Sequence, residues 1–122
     1  MTDRPRHILL VEDDLTICEL LATQFEDEGY ALTACVSPHQ AMTLLDQRSF
    51  DVVLTDGFSR APASFAQNTA DIIGRAGMTP VVLFSGHTLD IAVAQAAGFR
   101  ARITKPFDID TLMRQVTALL AN

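Results

Sequence analysis

The chain has 122 residues, of which 48% are hydrophobic, so it can form one domain with a buried core. A formal charge of −6 argues against a nucleic-acid binder, because such proteins normally present a basic face to the phosphates. No apolar run approaches the roughly 18 residues that span a bilayer and the opening residues do not resemble a signal peptide, so we expect a cytoplasmic protein that binds proteins or small ions and no membrane.

The first predicted element is a strand over residues 7–12, HILLVE, because its nearly continuous apolar run is typical of a strand buried on both faces. A helix is predicted over residues 15–29, where apolar residues recur at helical spacing and Gly29 provides the stop. Residues 30–36, YALTACV, form the second predicted strand. The sequence therefore begins with a strand, a helix and a strand.

A strong helix start follows at SPHQ. Ser37 can cap the helix, Pro38 suits the first helical position, and Gln40 completes a capping box. The two cysteines, Cys18 and Cys35, form no CxxC pair and no cluster with histidine at metal-ligand spacing. We predict that both are buried free thiols.

The rest of the chain continues the alternation of strand and helix. The remaining strands are short runs, predicted at residues 51–56, 80–85 and 101–104. The remaining helices are predicted at residues 64–76, 88–98 and 108–122, with Asp108 as the cap of the last one. Strands separated by helices run parallel through right-handed crossovers. We therefore predict an α/β fold, a doubly wound, flavodoxin-like (βα)5 sandwich of three layers around one parallel five-stranded sheet of order 2-1-3-4-5.

Polar residues stand at the ends of four of these strands. In open parallel sheets, ligands bind beyond the carboxyl ends of the strands. Glu12 and Asp13 end the first strand, Asp56 the third, Ser85 the fourth and Lys105 the fifth. With the first and third strands adjacent, three carboxylates share one small site, and their mutual repulsion calls for a cation. Oxygen ligands favour Mg²⁺ over a transition metal.

Each of these residues has a simpler interpretation when it is taken alone. Acids before a helix cap it through the free backbone amides and the helix dipole, and this interpretation suits Asp14. Lys105 alone is typical of a solvated surface cation, and Ser85 of a loop hydroxyl. Asp56 differs, because no helix start follows it directly. The convergence of five residues at one edge of the sheet is what favours a functional site.

The sequence fragments that carry these residues resemble the receiver domain of two-component response regulators, over essentially the whole chain. ILLVEDD resembles the first strand of the family with its acidic pair, and DVVLTD resembles the strand that carries the phosphoacceptor. VVLFSG resembles the strand that ends in a hydroxyl, and TKPF resembles the lysine-proline element. Each fragment is moderately specific, whereas the four in this order are highly specific.

The resemblance implies a chemical role for each site residue. Asp56 would be the nucleophile that accepts a phosphoryl group as an acyl phosphate. Mg²⁺ would be held by Glu12, Asp13, Asp56 and the main-chain carbonyl of Phe58, and would offset the charge of the phosphoryl oxygens. Lys105, the one lysine of the chain, would reach a phosphoryl oxygen with a compact ammonium.

The implied output is a change of docking surface. After phosphorylation, Ser85 would move to a phosphoryl oxygen and repack the face made by the following helix and the fifth strand. The chain departs from the family at Arg102, where an aromatic switch residue is usual. Because an arginine does not rotate from solvent into an apolar pocket as an aromatic ring does, the relay from Ser85 is expected to differ.

The resemblance implies a single receiver domain over residues 1–122, without an output domain, that catalyses only its own phosphorylation and dephosphorylation. The implied upstream partner is a sensor histidine kinase or a histidine phosphotransfer protein, and a homodimer formed on phosphorylation is a further option. One alternative is an interaction module on the same fold whose output does not depend on phosphate. Another is a hydrolase or nucleotide binder, which the residue types disfavour: Phe58 stands where an aspartate-nucleophile phosphatase needs its second acid.

Overall fold

The computed structural model describes residues 5–55, 70–85, 98–104 and 107–120, with Ser85 and Thr104 described by their main chain alone. A parallel five-stranded sheet lies at the centre of these residues. Its strands are β1 (His7–Val11), β2 (Ala31–Cys35), β3 (Val52–Thr55), β4 (Val81–Ser85) and β5 (Ala101–Thr104). The strand order is β2-β1-β3-β4-β5, which confirms the predicted topology.

Four helices lie within the described ranges. They are α1 (Leu15–Asp27), α2 (Pro38–Gln47), α3, whose described part is residues 70–76, and α4 (Ile109–Leu120). The predicted helix over 88–98 and the first residues of the one predicted over 64–76 fall largely or wholly outside the described residues. No helix of the described ranges has the length and apolar character to cross a membrane.

Two aspartates cap helices as predicted. The carboxylate of Asp14 accepts hydrogen bonds from the main-chain N–H groups of Thr16, at 3.0 Å, and Ile17, at 3.3 Å. The carboxylate of Asp108 accepts from the N–H and hydroxyl of Thr111, at 3.0 and 2.8 Å, and these bonds lower the pKa of Asp108. Each aspartate therefore satisfies backbone donors that the first helical turn leaves open.

The cap of α2 differs from the predicted capping box in one bond. Ser37 accepts from the N–H of Gln40 at 3.2 Å, as predicted. The side-chain oxygen of Gln40, however, accepts from the N–H of Val36 at 2.9 Å, one residue before the cap. The reason is that successive residues of a strand point their backbone groups to opposite sides. The carbonyl of Cys35 points toward β1, so the N–H of Val36 points to the open edge, where the side chain of Gln40 reaches it.

The sheet separates two apolar clusters, because successive side chains of a strand point to opposite faces. The cluster on the side of α1 and α4 includes Leu10, Phe25, Phe84, Ile103 and Leu112. The cluster on the side of α2 and α3 includes Leu9, Ala41, Val53, Ile72 and Phe99. Neighbours in sequence such as Leu9 and Leu10 thus belong to different layers. This is the three-layer arrangement that the alternation of strands and helices predicts.

Both cysteines are buried with free thiols, as predicted. Cys18 lies on the α1 side, and Cys35 ends β2 on the α2 side. Burial raises the pKa of the Cys35 thiol to about 11, and a hydrogen bond with the backbone of Ser37 partly offsets the rise. Cys35 therefore stays protonated at neutral pH and reacts slowly, because the thiolate is the nucleophilic form.

Candidate functional site

The carboxyl ends of β1 and β3 lie side by side. Val11, the last residue of β1, is the register partner of Thr55, the last residue of β3. Glu12 is the first residue beyond β1, at the level where the chain leaves β3. In a doubly wound sheet this edge is where ligands bind.

The ends of β4 and β5 complete the same edge of the sheet. Ser85 and Thr104 are register partners, and both end their strands. Thr55 is paired with Leu83, so β4 extends two residues beyond the level at which β3 ends. Two pairs of strand ends therefore meet along one edge, as the sequence predicts.

Glu12 is a fully buried carboxylate that its neighbours fix in place. Its main-chain N–H donates to the carbonyl of Cys35 at 3.0 Å, and its own carbonyl accepts from the thiol of Cys18 at 3.3 Å. Its side chain has no exposed surface, and one carboxylate oxygen accepts from the N–H of Asp14 at 3.0 Å. A buried carboxylate is costly unless donors or a cation compensate its charge. Glu12 is thus held at the start of the loop after β1 by contacts to β2 and α1.

Asp13 and Asp14 have different environments from Glu12, although the three acids are consecutive. Asp14 is exposed, and its carboxylate caps α1. Asp13 is exposed and lies between the buried acid and the cap. Capping thus accounts for one acid of the triplet, and Glu12 and Asp13 remain the predicted cation ligands.

The donor chemistry of this pair fits a hard divalent ion. Carboxylate oxygens completed by water are what Mg²⁺ takes from proteins. Within the described ranges, no group of three or more His, Cys, Asp or Glu side chains is close enough to hold a metal. The other two predicted oxygen donors, Asp56 and the carbonyl of Phe58, lie outside the described residues. Glu12 and Asp13 are the part of the predicted ligand set that the structure describes.

Lys105 also lies outside the described residues, and Ser85 is described by its main chain alone. Their predicted roles stay predictions. What the structure does establish is the position of their strands: Lys105 follows Thr104 directly in sequence, and Thr104 pairs with Ser85.

Two further polar residues lie on the strands: Thr55, which was not assigned to the site from the sequence, and Arg102, which was predicted only as a departure from the aromatic switch of the family. Thr55 is fully buried at the end of β3, directly before Asp56 in sequence. Its signal in the sequence is a hydroxyl residue at the end of a short aliphatic run, directly before an acid. Arg102 is half-buried on β5 as the register partner of Leu83. Since Ile103 faces α4, alternation turns Arg102 toward the opposite face of the sheet.

Comparison with known proteins identifies relatives that match nearly the whole chain. The family model described as the response regulator receiver domain matches residues 8–117. The chain is 28% identical over 118 residues to the transcriptional regulatory protein GlrR of Escherichia coli (strain K12), covering 95% of this chain and 26% of GlrR. The chain thus spans about a quarter of the length of that curated relative.

Solved structures with the same fold include two receiver domains. The receiver domain of Francisella response regulator 1452 has a TM-score of 0.82 at 24% identity, covering 93% of this chain and 95% of that one. The receiver domain of sensor histidine kinase PA1611 from Pseudomonas aeruginosa PAO1, solved with a magnesium ion coordinated in its active site cleft, has a TM-score of 0.79 at 23% identity. That match covers 97% of this chain and 99% of the other. At these identities, the two structures show a common fold.

Proposed function

The chain belongs to the family of response regulator receiver domains, and we propose that it accepts a phosphoryl group on Asp56 within a two-component phosphorelay. The observation that supports the proposal is the pairing of Val11 with Thr55, because Glu12 and Asp56 follow these two residues directly in sequence. An acid that follows a buried strand at this edge has access to a partner and to a cation at once.

The transfer is a displacement at phosphorus. A carboxylate oxygen of Asp56 attacks the phosphorus of a phosphohistidine on the partner, the new P–O bond forms, and the P–N bond breaks. The electron pair of that bond stays on the imidazole of the partner, which takes up a proton as it leaves. Phosphohistidine as donor makes a sensor histidine kinase or a histidine phosphotransfer protein the upstream partner.

Glu12, Asp13, Asp56 and the carbonyl of Phe58 would hold Mg²⁺, which supplies charge compensation for the phosphoryl oxygens. Glu12 suits this role because its backbone is fixed by Cys35 and Cys18, and its carboxylate is held by the N–H of Asp14. Asp13 suits it because its carboxylate is exposed. Lys105 would donate to a phosphoryl oxygen, and Ser85 would hydrogen-bond another and pass the change to the face of β5.

Small phosphodonors test this function directly. The chain is incubated with phosphoramidate and Mg²⁺, and intact-mass spectrometry follows the gain of one phosphoryl group. Wild type gains the group, Asp56→Asn does not, and removal of Mg²⁺ by a chelator suppresses the gain. An unchanged gain in Asp56→Asn, or no gain in a folded wild-type chain, contradicts the proposal.

A second candidate function is a docking module of the same family whose output does not depend on phosphate. Arg102 favours it, because a half-buried arginine on β5 stands where the family usually carries its aromatic switch. The two candidates differ in the response of the β5 amides. Under the first candidate, phosphorylation shifts the NMR signals of residues 101–104. Under the second, these signals do not shift, whether or not the chain is phosphorylated. The first candidate function also includes two further proposals: a location in the cytoplasm and a homodimer that forms on phosphorylation.

A further inference from the structure

The outer edge of β2 is open in the described part of the chain, where β2 pairs with β1 alone. The N–H of Ala31 donates to the carbonyl of Arg6 at 2.9 Å, and the carbonyl of Cys35 accepts from Glu12 at 3.0 Å. Residues 31, 33 and 35 therefore turn their main chain toward β1, because a strand alternates its hydrogen-bonding side with every residue. Leu32 and Ala34 turn their N–H and C=O groups outward.

A groove runs beside this edge, between β2 and α2. Its volume is about 360 Å³, at the lower end for a ligand pocket, and it is lined by residues 33–35 of β2 and by four residues of α2. We name this feature the β2 groove. Its size suits one or two side chains of a peptide, and it opens next to the outward main chain of Ala34.

The hydroxyl and thiol groups in the walls of the β2 groove are engaged with the protein itself. The hydroxyl of Thr33 hydrogen-bonds to Nε2 of His7 at 2.7 Å, and the hydroxyl of Thr43 donates to the carbonyl of His39 at 3.2 Å. The thiol of Cys35 donates to a backbone carbonyl, as described above. A ligand therefore meets mainly methyl, methylene and sulfur surface, beside His39 and Gln40, which favours an apolar side chain over a phosphate or a metal ion.

The open edge is short and unprotected. The N–H of Val36 is already bonded to the side chain of Gln40, so the outward donors available for pairing end at Ala34. The strand ALTAC contains no charged residue and no proline, the two devices that commonly protect edge strands. A short extended segment of another chain can therefore pair with it.

The charge near the start of β2 indicates which charge the bound segment should carry at that end. Glu26, Asp27 and Glu28 are exposed at the end of α1, and Gly29 leads from them to β2. The nearby cation of Arg6 lies 3.6 Å from the carboxylate of Asp51, which partly neutralises it. A strand lying along β2 thus passes from an apolar groove to an acidic end.

We propose that the β2 groove binds an extended segment of a partner protein, which adds a sixth strand to the sheet. An apolar side chain of the segment enters the groove, and a basic side chain lies near Glu26, Asp27 and Glu28. The main-chain bonds to Leu32 and Ala34 supply affinity, and the groove and the acids supply specificity. This surface lies at the β2 edge of the sheet and goes beyond the phosphoacceptor function.

The probe is a seven-residue peptide with lysine at both ends and alternating valine and threonine between them, titrated into the ¹⁵N-labelled chain. We expect the amide signals of Leu32 and Ala34 to shift, and hydrogen exchange at these two amides to slow. Ala34→Pro removes an outward N–H that the sheet does not use, so the fold is retained. Because the proline also blocks strand pairing, the variant binds about tenfold more weakly or worse.

Ala34→Thr is the matched control, since it keeps the N–H and suits a strand, and it binds as wild type does. Thr43→Phe fills the groove from α2 and weakens binding without touching the edge. Equal affinity of wild type, Ala34→Pro and Thr43→Phe overturns the proposal, as does the absence of shifts at millimolar peptide. Shifts at Leu32 and Ala34 that depend on protein concentration without peptide identify a second copy as the occupant, and also overturn it. Equal binding of a peptide with glutamate at both ends overturns the role of the acids.

Discussion

The main-chain N–H of Asp14 donates to the buried carboxylate of Glu12 over 3.0 Å, while the side chain of Asp14 caps α1. One residue therefore couples the start of a helix to the orientation of an acid at the candidate metal site. Asp13, between them, is left with an exposed carboxylate. The three consecutive acids therefore have three different environments, and single substitutions can separate their contributions.

Asp13→Asn should weaken Mg²⁺ binding by at least about tenfold, because it removes a charged oxygen ligand while keeping the shape of the side chain. The measurement is isothermal titration calorimetry of the chain with MgCl₂. Asp14→Asn is the matched control: it also removes one negative charge, but asparagine caps a helix as well as aspartate does. If both variants lose the same affinity, the effect is general electrostatics, and Asp13 is not a ligand.

Asp14→Ala should lower the free energy of unfolding by about 1 kcal/mol, the usual cost of losing an N-terminal helix cap. Two backbone donors, the N–H groups of Thr16 and Ile17, lose their acceptor. Urea denaturation followed by circular dichroism measures the change, and Asp14→Asn should stay within a few tenths of a kcal/mol of wild type. An Asp14→Ala variant as stable as wild type would show that the cap contributes nothing.

Replacement by alanine should change the free energy of unfolding in opposite directions at two nearby glycines. Gly98 has a φ of +108°, and an added Cβ would lie 3.0 Å from Cγ2 of Ile73, so Gly98→Ala should cost more than about 1 kcal/mol. Gly74 lies in α3 with open space around it, and Gly74→Ala should stabilise the chain by roughly 0.5–1 kcal/mol. Thermal or urea unfolding of the two variants checks both signs.

The steric part of the Gly98 effect can be separated from its backbone part. Ile73→Ala removes the methyl group that the new Cβ would meet. The double variant Ile73→Ala/Gly98→Ala should therefore be more stable than the sum of the two single losses implies. Strict additivity would assign the whole cost to the backbone conformation.

Stability should fall in alkaline solution because of Cys35. Burial raises the pKa of its thiol from 9.0 to about 11, so the unfolded chain releases this proton at a lower pH than the folded chain does. The contribution is fully present below pH 9 and is lost as the pH rises through about 11, with a total of roughly 1–3 kcal/mol. Urea unfolding between these pH values measures it.

Cys35→Ala provides the reference for that measurement, since lysine and tyrosine titrate in both proteins over the same range. The difference in unfolding free energy between wild type and Cys35→Ala should shrink as the pH rises. A constant difference would mean that the thiol ionises equally readily in the folded and unfolded chains. Alkylation of Cys35 at pH 8 should likewise be slow in the folded chain.

Local patterns in the sequence predict most of this fold. The last strand, Ala101–Thr104, has the predicted bounds, and the other four strands are each shorter at one or both ends than predicted. The caps at Asp14, Ser37 and Asp108 are predictable because a cap depends on residues within one turn. The strand order follows from the alternation of strands and helices together with the usual preference for 2-1-3-4-5.

Features that depend on contacts between distant segments could not be predicted in the same way. Nothing in the string Glu-Asp-Asp indicates which acid is buried, because the burial of Glu12 depends on the packing of β2 and α1, whose residues Cys35 and Cys18 bond to its main chain. The bond from Val36 to Gln40 depends on which side of β2 faces β1. The β2 groove arises from the packing of α2 on β2, and no single run of residues encodes it.

The division of the apolar side chains between two faces also ties the acidic site to the reading frame of β1. Leu9 and Val11 belong to one layer and Leu10 to the other, and Glu12 follows directly. A single residue inserted into β1 would move each later side chain of this strand to the opposite face of the sheet, and the carboxylate of Glu12 would turn away with them. An insertion or deletion in β1 would therefore disturb both the packing of the two layers and the position of the Glu12 carboxylate. Natural variants of the chain should differ in this strand by replacement only.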